Sequence, residues 1–329
     1  YSISGNLFYY KDIALNKELS LHDIKILNEL KPCAFYCVDH KPFVLFFEEK
    51  ENVEVMNELH KKIWNSQIPV IIFNNISSIK VYYGNFLKID KNELELINNQ
   101  NIDLCDEFSP FSYWNVTNQN FWSTFENQFT KKKLNEILLE NIQSVTTTLK
   151  GKYNISFATK LILRLIFIRF LIDRGVDLGY KGFSSNIKAS QKTLLEISKN
   201  KETLYDLFTY LKITFNGNLF DLGDELVDEN LSDKVFMLLN EFLSGEYVLS
   251  SGQKSLFELY DFNIIPVELI SNIYEVLLGK ILQTKDKAFY TPIYLVDYIL
   301  NHTIKPFIKF NNKCKILDPS CGSGIFLVE

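Results

Sequence analysis

The sequence predicts a chain of mixed class: a small α/β unit at the N-terminus, a helical middle, and the opening of a second α/β fold at the C-terminus. Three observations carry this. Between about Pro42 and Phe86, short runs rich in Val, Ile and Phe flank one amphipathic stretch, the pattern of strands around a helix. Between about Lys131 and Gly279, apolar residues recur at three- and four-residue steps over long segments, which is helical periodicity. The final residues, Ile316 to Glu329, read ILDPSCGSGIFLVE: an apolar run, a glycine turn, and a second apolar run that starts a helix. The predicted regions are residues 1–110, 111–279 and 280–329.

Taken in order, FYCV and PFVLFFEE read as a hairpin whose second strand is buried. ENVEVMNELHKKIWN reads as an amphipathic helix with Val55, Leu59 and Ile63 on one side, PVIIF as a strand, and SIKVYYGN as a further strand ending in a turn. From about Lys91 to Trp122 the aperiodic NNQN and SPFSYW stretches read as a linker. In the middle, KKLNEILLENIQSVTTTL is helical, and SFATKLILRLIFIRFLIDRG, ETLYDLFTYLKITFNG and DKVFMLLNEFLSG each close on a glycine, as helices often do. Pro266 precedes VELISNIYEVLLGK and suits a first helical turn, where its missing N–H costs nothing. In the third region Thr291 as N-cap and Pro292 at the first helical position lead into IYLVDYILNHTI, followed by a strand over Cys314–Asp318 and the loop carrying Gly322 and Gly324.

With 329 residues, 47% of them hydrophobic and 14% aromatic, the chain has enough apolar surface for the cores of two or three domains. A formal net charge of −5 argues against a general electrostatic grip on nucleic acid, so any such contact is local or supplied by other parts. The five cysteines form no CxxC pair and no zinc spacing with histidine, which fits a reducing cytoplasm. The greasiest stretch, Leu161 to Ile172, is short and carries Arg164 and Arg169, and no signal-peptide pattern opens the chain, so no membrane is implied. Tyr1 in place of Met, and a glycine turn so close to Glu329, read as a segment truncated from a longer protein.

Four readings compete for the glycine loop. A phosphate-binding loop needs a Lys after its last glycine, and none follows Gly324. A dinucleotide fingerprint needs a third glycine, where this chain has Ile325, Phe326 and Leu327. A bare turn needs nothing more, with Asp318 a strand-end cap and Thr291 a plain N-cap. The surrounding residues favour the fourth: Asp318, Pro319, Ser320, Cys321, Gly322, Ser323 and Gly324 spell DPSCGSG, which closely resembles the S-adenosyl-L-methionine (AdoMet) motif of the N6-adenine DNA methyltransferases. Phe289, Tyr290, Thr291 and Pro292 spell FYTP, which resembles the same family's other cofactor segment and stands ahead of the glycine motif as it does there. FIRFLIDRG, FNGNLF and GQKSLFELYDFNIIPVELISNIYE look like the helical domain of single-chain type IIG restriction and modification enzymes, and more distantly that of type I modification subunits.

The resemblance implies a Rossmann-like methyltransferase domain, AdoMet as cofactor, and double-stranded DNA as partner of the complete protein. It implies that loop N–H groups and the Thr291 hydroxyl hold the AdoMet carboxylate while Asp318 faces its ammonium group. The family's catalytic tetrapeptide, Asn or Asp followed by Pro-Pro and Tyr or Phe, is absent from this sequence, so this piece is not expected to methylate DNA alone.

Type IIG enzymes usually carry an endonuclease at the N-terminus, and the first region looks like the nuclease domain of type I restriction subunits; it reads as an active nuclease, a degenerate nuclease-like fold serving as a scaffold, or an unrelated α/β unit. Glu48 and Lys50 form the E-x-K half of a PD-(D/E)xK site, in which Mg²⁺ would be needed if the unit is active. The earlier Asp is missing: hairpin pairing puts it near Ala34, and the substitute, Asp39, sits at the turn. Glu48, Glu49 and Lys50 read equally well as a solvated strand end. His22, His40, His60 and His302 have no ligand spacing and read as surface or packing residues, and Trp64, Trp114, Trp122, Tyr82 and Tyr83 as core or linker. The sequence therefore reads as part of a restriction-modification or phage-defence protein with an adenine-methylating half. The alternatives are a non-catalytic interaction module on a degenerate nuclease scaffold, or an AdoMet-dependent enzyme acting on RNA or protein.

Overall fold

The computed structural model describes residues 6–15, 19–38, 40–75, 78–98, 114–115, 118, 120–125, 134–215, 218–248, 257–265, 273, 293–308, 310, 314–319 and 326. The chain forms two compact units, Tyr1–Ile265 and Pro266–Glu329. Among the described residues, no helix is long and apolar enough to cross a membrane.

The first unit opens with a six-stranded sheet whose strands lie side by side in chain order. They are β1 (Leu7–Tyr9), β2 (Ala34–Val38), β3 (Lys41–Glu48), β4 (Val70–Asn75), β5 (Ser78–Lys88) and β6 (Glu93–Asn98). All neighbours are antiparallel except β3 and β4, which run parallel. A parallel pair needs a crossover, and here the crossover is helix α2 (Val53–Ser66). The expected hairpin of β2 and β3 is present, with His40 in the left-handed region (φ +66°) at its turn.

Strand alternation sorts the sheet into two faces. Val44, Val70, Ile72 and Val81 pack with Phe121 of the short helix α3 (Asn120–Thr124) and with Phe125 just beyond it. Phe47, Phe73 and Tyr82 lie on the other face, where the His60 ring of α2 stands 5.4 Å from Phe73 and 5.1 Å from Tyr82. Gly84 in β5 passes so close to the β4 lead-in that an added Cβ would lie 2.0 Å from the Ile68 carbonyl oxygen, which only glycine avoids.

Several sequence expectations are corrected here. Helix α1 (Leu21–Leu30), capped by the Ser20 hydroxyl on the Asp23 N–H, and strand β1 precede the first element that the sequence predicted. The stretch read as a linker contributes β6 and α3, whose Leu94 and Phe121 are fully buried. Strand β5 continues to Lys88 instead of turning at Gly84 and Asn85. On α2 the buried side is His60, Ile63 and Trp64, while Val55 is 42% exposed. The Asn52 side chain caps that helix by accepting from the Glu54 and Val55 N–H groups.

The rest of the first unit is helical: α4 (Leu134–Tyr153), α5 (Ala158–Asp173), α6 (Ile187–Ile197), α7 (Lys201–Phe215) and α8 (Asp233–Leu243). Of these the sequence reading lacked only α6. Helix α5 is buried on nearly every side, including Arg164 and Arg169, and the chain leaves its last turn through Gly175 at φ +71°.

The segment Phe257–Ile265 ties the sheet to these helices. The fully buried Asn65 amide at the end of α2 donates to the Leu259 carbonyl and accepts from the Asp261 N–H, and Trp64 stacks on Tyr260. From the other side Arg169 donates to the Tyr260 carbonyl, and the Phe262 N–H donates to Asp173.

In the second unit, α9 (Ile293–His302) begins directly after Pro292, where the Thr-Pro pair predicted a helix start, and α10 (Ile304–Ile308) follows. Cys314–Asp318 does not form a strand, and Ile316 and Leu317 are 44% and 86% exposed.

Candidate functional site

Two places in the chain were predicted to carry chemistry. The first is the C-terminal end of β3. Parallel strands β3 and β4 end together, with Glu48 opposite Asn74 and the Glu49 N–H donating to the Asn74 carbonyl. The crevice beyond the carboxyl ends of parallel strands is where open α/β sheets place ligands. A cavity of about 840 Å³ lies here. Glu48 to Glu51 form one wall, Val53, Met56, Asn57 and His60 of α2 a second, and Asn74, Lys80 and Tyr82 of β4 and β5 the floor, with Lys91 and Glu93 at the edge.

Alternation along β3 places Glu49 with Leu45 and Phe47, on the side that α2 covers, and Glu48 with Phe46 on the other. Lys80 stands opposite Phe73 and so reaches the same side as Glu49. The two form an ion pair, Nζ to Oε1 at 2.5 Å. His60 beside them is 3% exposed, and its Nδ1 accepts from the Leu94 N–H at 3.3 Å. Burial pushes the ring's pKa down to about 4, against the pull of Glu49 and with help from Lys80. At neutral pH the ring is therefore uncharged and carries its proton on Nε2, which has no hydrogen-bond partner. Burial also pushes the Tyr82 hydroxyl up to about 12, with Glu93 and Glu49 adding to the shift.

Glu48 and Lys50 both line this cavity, at its exposed rim. Asp39 lies outside the described residues, and Ala34 pairs with Phe46 and offers no ligand. Among the described residues, no three His, Cys, Asp or Glu side chains converge to hold a metal ion. The donor set does not fit Mg²⁺, because the innermost carboxylate, Glu49, is bonded to a cation that belongs to the chain.

His60, Glu49, Lys80 and Tyr82 were not singled out as site residues from sequence. The usable signal was period two in SIKVYYGN: Lys80 shares its face with Tyr82, so a lysine falls on a covered face.

The second place is the glycine motif. Asp318 is half-buried and Pro319 exposed. Phe289, Tyr290, Thr291, Pro292, Ser320, Cys321, Gly322, Ser323 and Gly324 lie outside the described residues.

Comparison with known proteins bears on this second place. Residues 267–329 match the family model described as N-6 DNA Methylase. The chain is also similar to the type I restriction enzyme MjaVII methylase subunit of Methanocaldococcus jannaschii, 23% identical over 221 residues, a match that covers 60% of this chain and 36% of the relative. The chain thus matches a little over a third of that relative's length. No solved structure matches it.

Proposed function

We propose that the second unit opens the methyltransferase domain of an AdoMet-dependent N6-adenine DNA methyltransferase in a restriction-modification or phage-defence protein. One observation carries this: the N-6 DNA Methylase match over residues 267–329 takes in both FYTP and DPSCGSG in the family's order. The similarity to a type I methylase subunit supports the restriction-modification setting. The start of the match and the division of the chain after Ile265 both support placing the domain boundary near residue 266, ahead of the 280 expected from sequence.

Bound AdoMet would supply the electrophilic methyl group for the exocyclic amine of a flipped adenine. The half-buried Asp318 carboxylate suits the ammonium group of the methionine moiety, and the hydroxyl of Thr291 and the backbone N–H groups of the glycine loop suit its carboxylate. The acceptor clamp of the family it resembles, a Pro-Pro-aromatic tetrapeptide, is not among these residues. Residues 1–110 are read as a nuclease-like unit and the helices that follow as a connector, an order that favours the single-chain type IIG arrangement and a cytoplasmic protein acting on double-stranded DNA.

The test is AdoMet binding by the gene product that carries this chain, together with N6-methyladenine in plasmid DNA measured by mass spectrometry of its nucleosides. Asp318→Ala removes a charge-assisted contact and is expected to weaken AdoMet about tenfold or more. Unchanged affinity in Asp318→Ala would remove the site assignment, and methyl transfer to RNA or protein in place of adenine would replace the substrate.

A further inference from the structure

The cavity at the end of β3 holds Glu48 and Lys50, the pair behind the nuclease-like reading, but not the chemistry of a metal-dependent nuclease. A divalent cation of the Mg²⁺ kind needs about six oxygen ligands at roughly 2.0–2.1 Å in near-octahedral array. Glu49 is the cavity carboxylate that strand alternation turns toward α2, and the Lys80 ammonium already lies 2.5 Å from its Oε1. A second cation on that oxygen would have to displace Lys80 or stand in its repulsive field. His60 does not compensate. Its Nδ1 lone pair is committed to the Leu94 N–H, so its Nε2 carries the proton and has no lone pair for a metal. The carboxylates that remain at the cavity, Glu48 and Glu51 in one wall and Glu93 at the edge, do not gather in threes with any other described ligand.

We propose that Lys80 stands in for the divalent cation of a nuclease-shaped site, so that this unit binds no metal there and does not itself cut DNA. The inference rests on the nuclease-like reading of residues 1–110. Lys80 reaches Glu49 from β5, the strand beyond β4, so the replacement is built into the sheet register: Phe73 opposite Lys80 fixes the height of the lysine along the sheet, and Phe47 stacked on Phe73 fixes that of β3. Metal-assisted hydrolysis needs a metal-bound water next to a phosphodiester, and a lysine ammonium cannot coordinate water as a Lewis acid. What the unit retains is a rigid βαβ body held to the helical connector through Asn65 and Trp64, which suits a scaffold.

The experiment uses the purified gene product with Mn²⁺ as the probe, free Mn²⁺ being followed by electron paramagnetic resonance, and supercoiled plasmid incubated with Mg²⁺ or Mn²⁺ in parallel. The quantity read is Mn²⁺ uptake that depends on Glu49. Expected are no such uptake and no nicking in the wild type, and at least tenfold tighter Mn²⁺ binding in Lys80→Met that is lost again in Lys80→Met/Glu49→Gln. Lys80→Gln serves where the Met variant is unstable, and a melting temperature close to the wild-type value reports that the sheet of each variant is folded. Wild-type uptake abolished by Glu49→Gln, or nicking abolished by it, overturns the proposal and leaves the nuclease-like reading standing. Uptake in neither the wild type nor the Lys80 variants overturns both, since the cavity is then not a cation site that a lysine has filled.

Discussion

The Arg164–Glu225 pair in the helical part and the Lys80–Glu49 pair in the sheet part are built from the same kinds of charge in opposite surroundings. Arg164 is 0% exposed and donates four hydrogen bonds: two to Glu225 at 2.6 and 2.9 Å, one to the Leu219 carbonyl and one to the Asp221 carbonyl. Its guanidinium also lies 5.3 Å from the Phe208 ring, and Tyr205 donates to the same carboxylate. Lys80 and Glu49 keep side-chain exposures of 36% and 20% at the mouth of a cavity. A charge sealed in helices needs each of its nitrogens hydrogen-bonded within the protein, because water cannot complete its shell. A pair beside a cavity can exchange partners with solvent, which makes it the place where a ligand could be traded for a side chain.

The largest expected effect lies on the sealed pair. Arg164→Met leaves the Glu225 carboxylate buried with only Tyr205 beside it and strips the Leu219 and Asp221 carbonyls of their donor. Breaking a buried pair in this way costs about 3–5 kcal/mol, read as a lowered urea midpoint of the helical transition. Arg164→Met/Glu225→Met should recover much of that loss, because no uncompensated charge remains. A loss below about 1 kcal/mol in the single variant would put the two pairs in the same class and end the contrast.

His60 tests the sheet side. Its folded pKa of about 4 lies below the usual 6.5, so between those values the unfolded chain binds a proton that the folded chain refuses. The stability this burial depends on is complete above pH 6.5 and is lost progressively as the pH falls to about 4. The loss over that window is roughly 3 kcal/mol. Denaturant titrations at pH 7.5 and pH 4.5 should separate the wild type from His60→Phe, which has no group to protonate there. Parallel pH profiles of the two proteins would mean that the ring is more accessible than its position between Phe73 and Tyr82 implies.

How far the sequence foretold these regions follows from what each element depends on. Helix α5, α8 and the β3–α2–β4 crossover were readable because their signal is local: periodicity, caps and closing glycines within one run of residues. Strand β6 was not, since ELELIN follows a polar turn and acquires its meaning only from pairing with β5, where Leu94 meets Leu87. The segment 314–318 failed in the other direction: it has the composition of a strand, but a strand is fixed by pairing, and among the described residues no strand pairs with it. The same division holds at the cavity. E-x-K is a local pattern and led to Glu48 and Lys50, whereas Glu49, Lys80 and His60 are assembled from β3, β5 and α2, so their meeting depends on register that no single stretch encodes.

The smallest stability effect sharpens the comparison most. Lys80→Met removes a partly solvated ammonium while keeping the apolar stem that lies over the sheet, and Glu49 can then turn to water. Ion pairs of this exposure contribute about 0–1 kcal/mol, so the melting temperature should hardly move, and the wild-type value should fall slightly with added salt while that of the variant does not. The argument for a stand-in cation needs this near-neutrality. A residue that fills a site without holding the fold together can be removed at little cost to stability, and its removal is then visible in what the cavity binds. Should Lys80→Met instead cost several kcal/mol, as Arg164→Met is expected to, Lys80 would be a structural ion like Arg164, and the empty-site chemistry at Glu49 would have to be given up whatever the Mn²⁺ experiment reads.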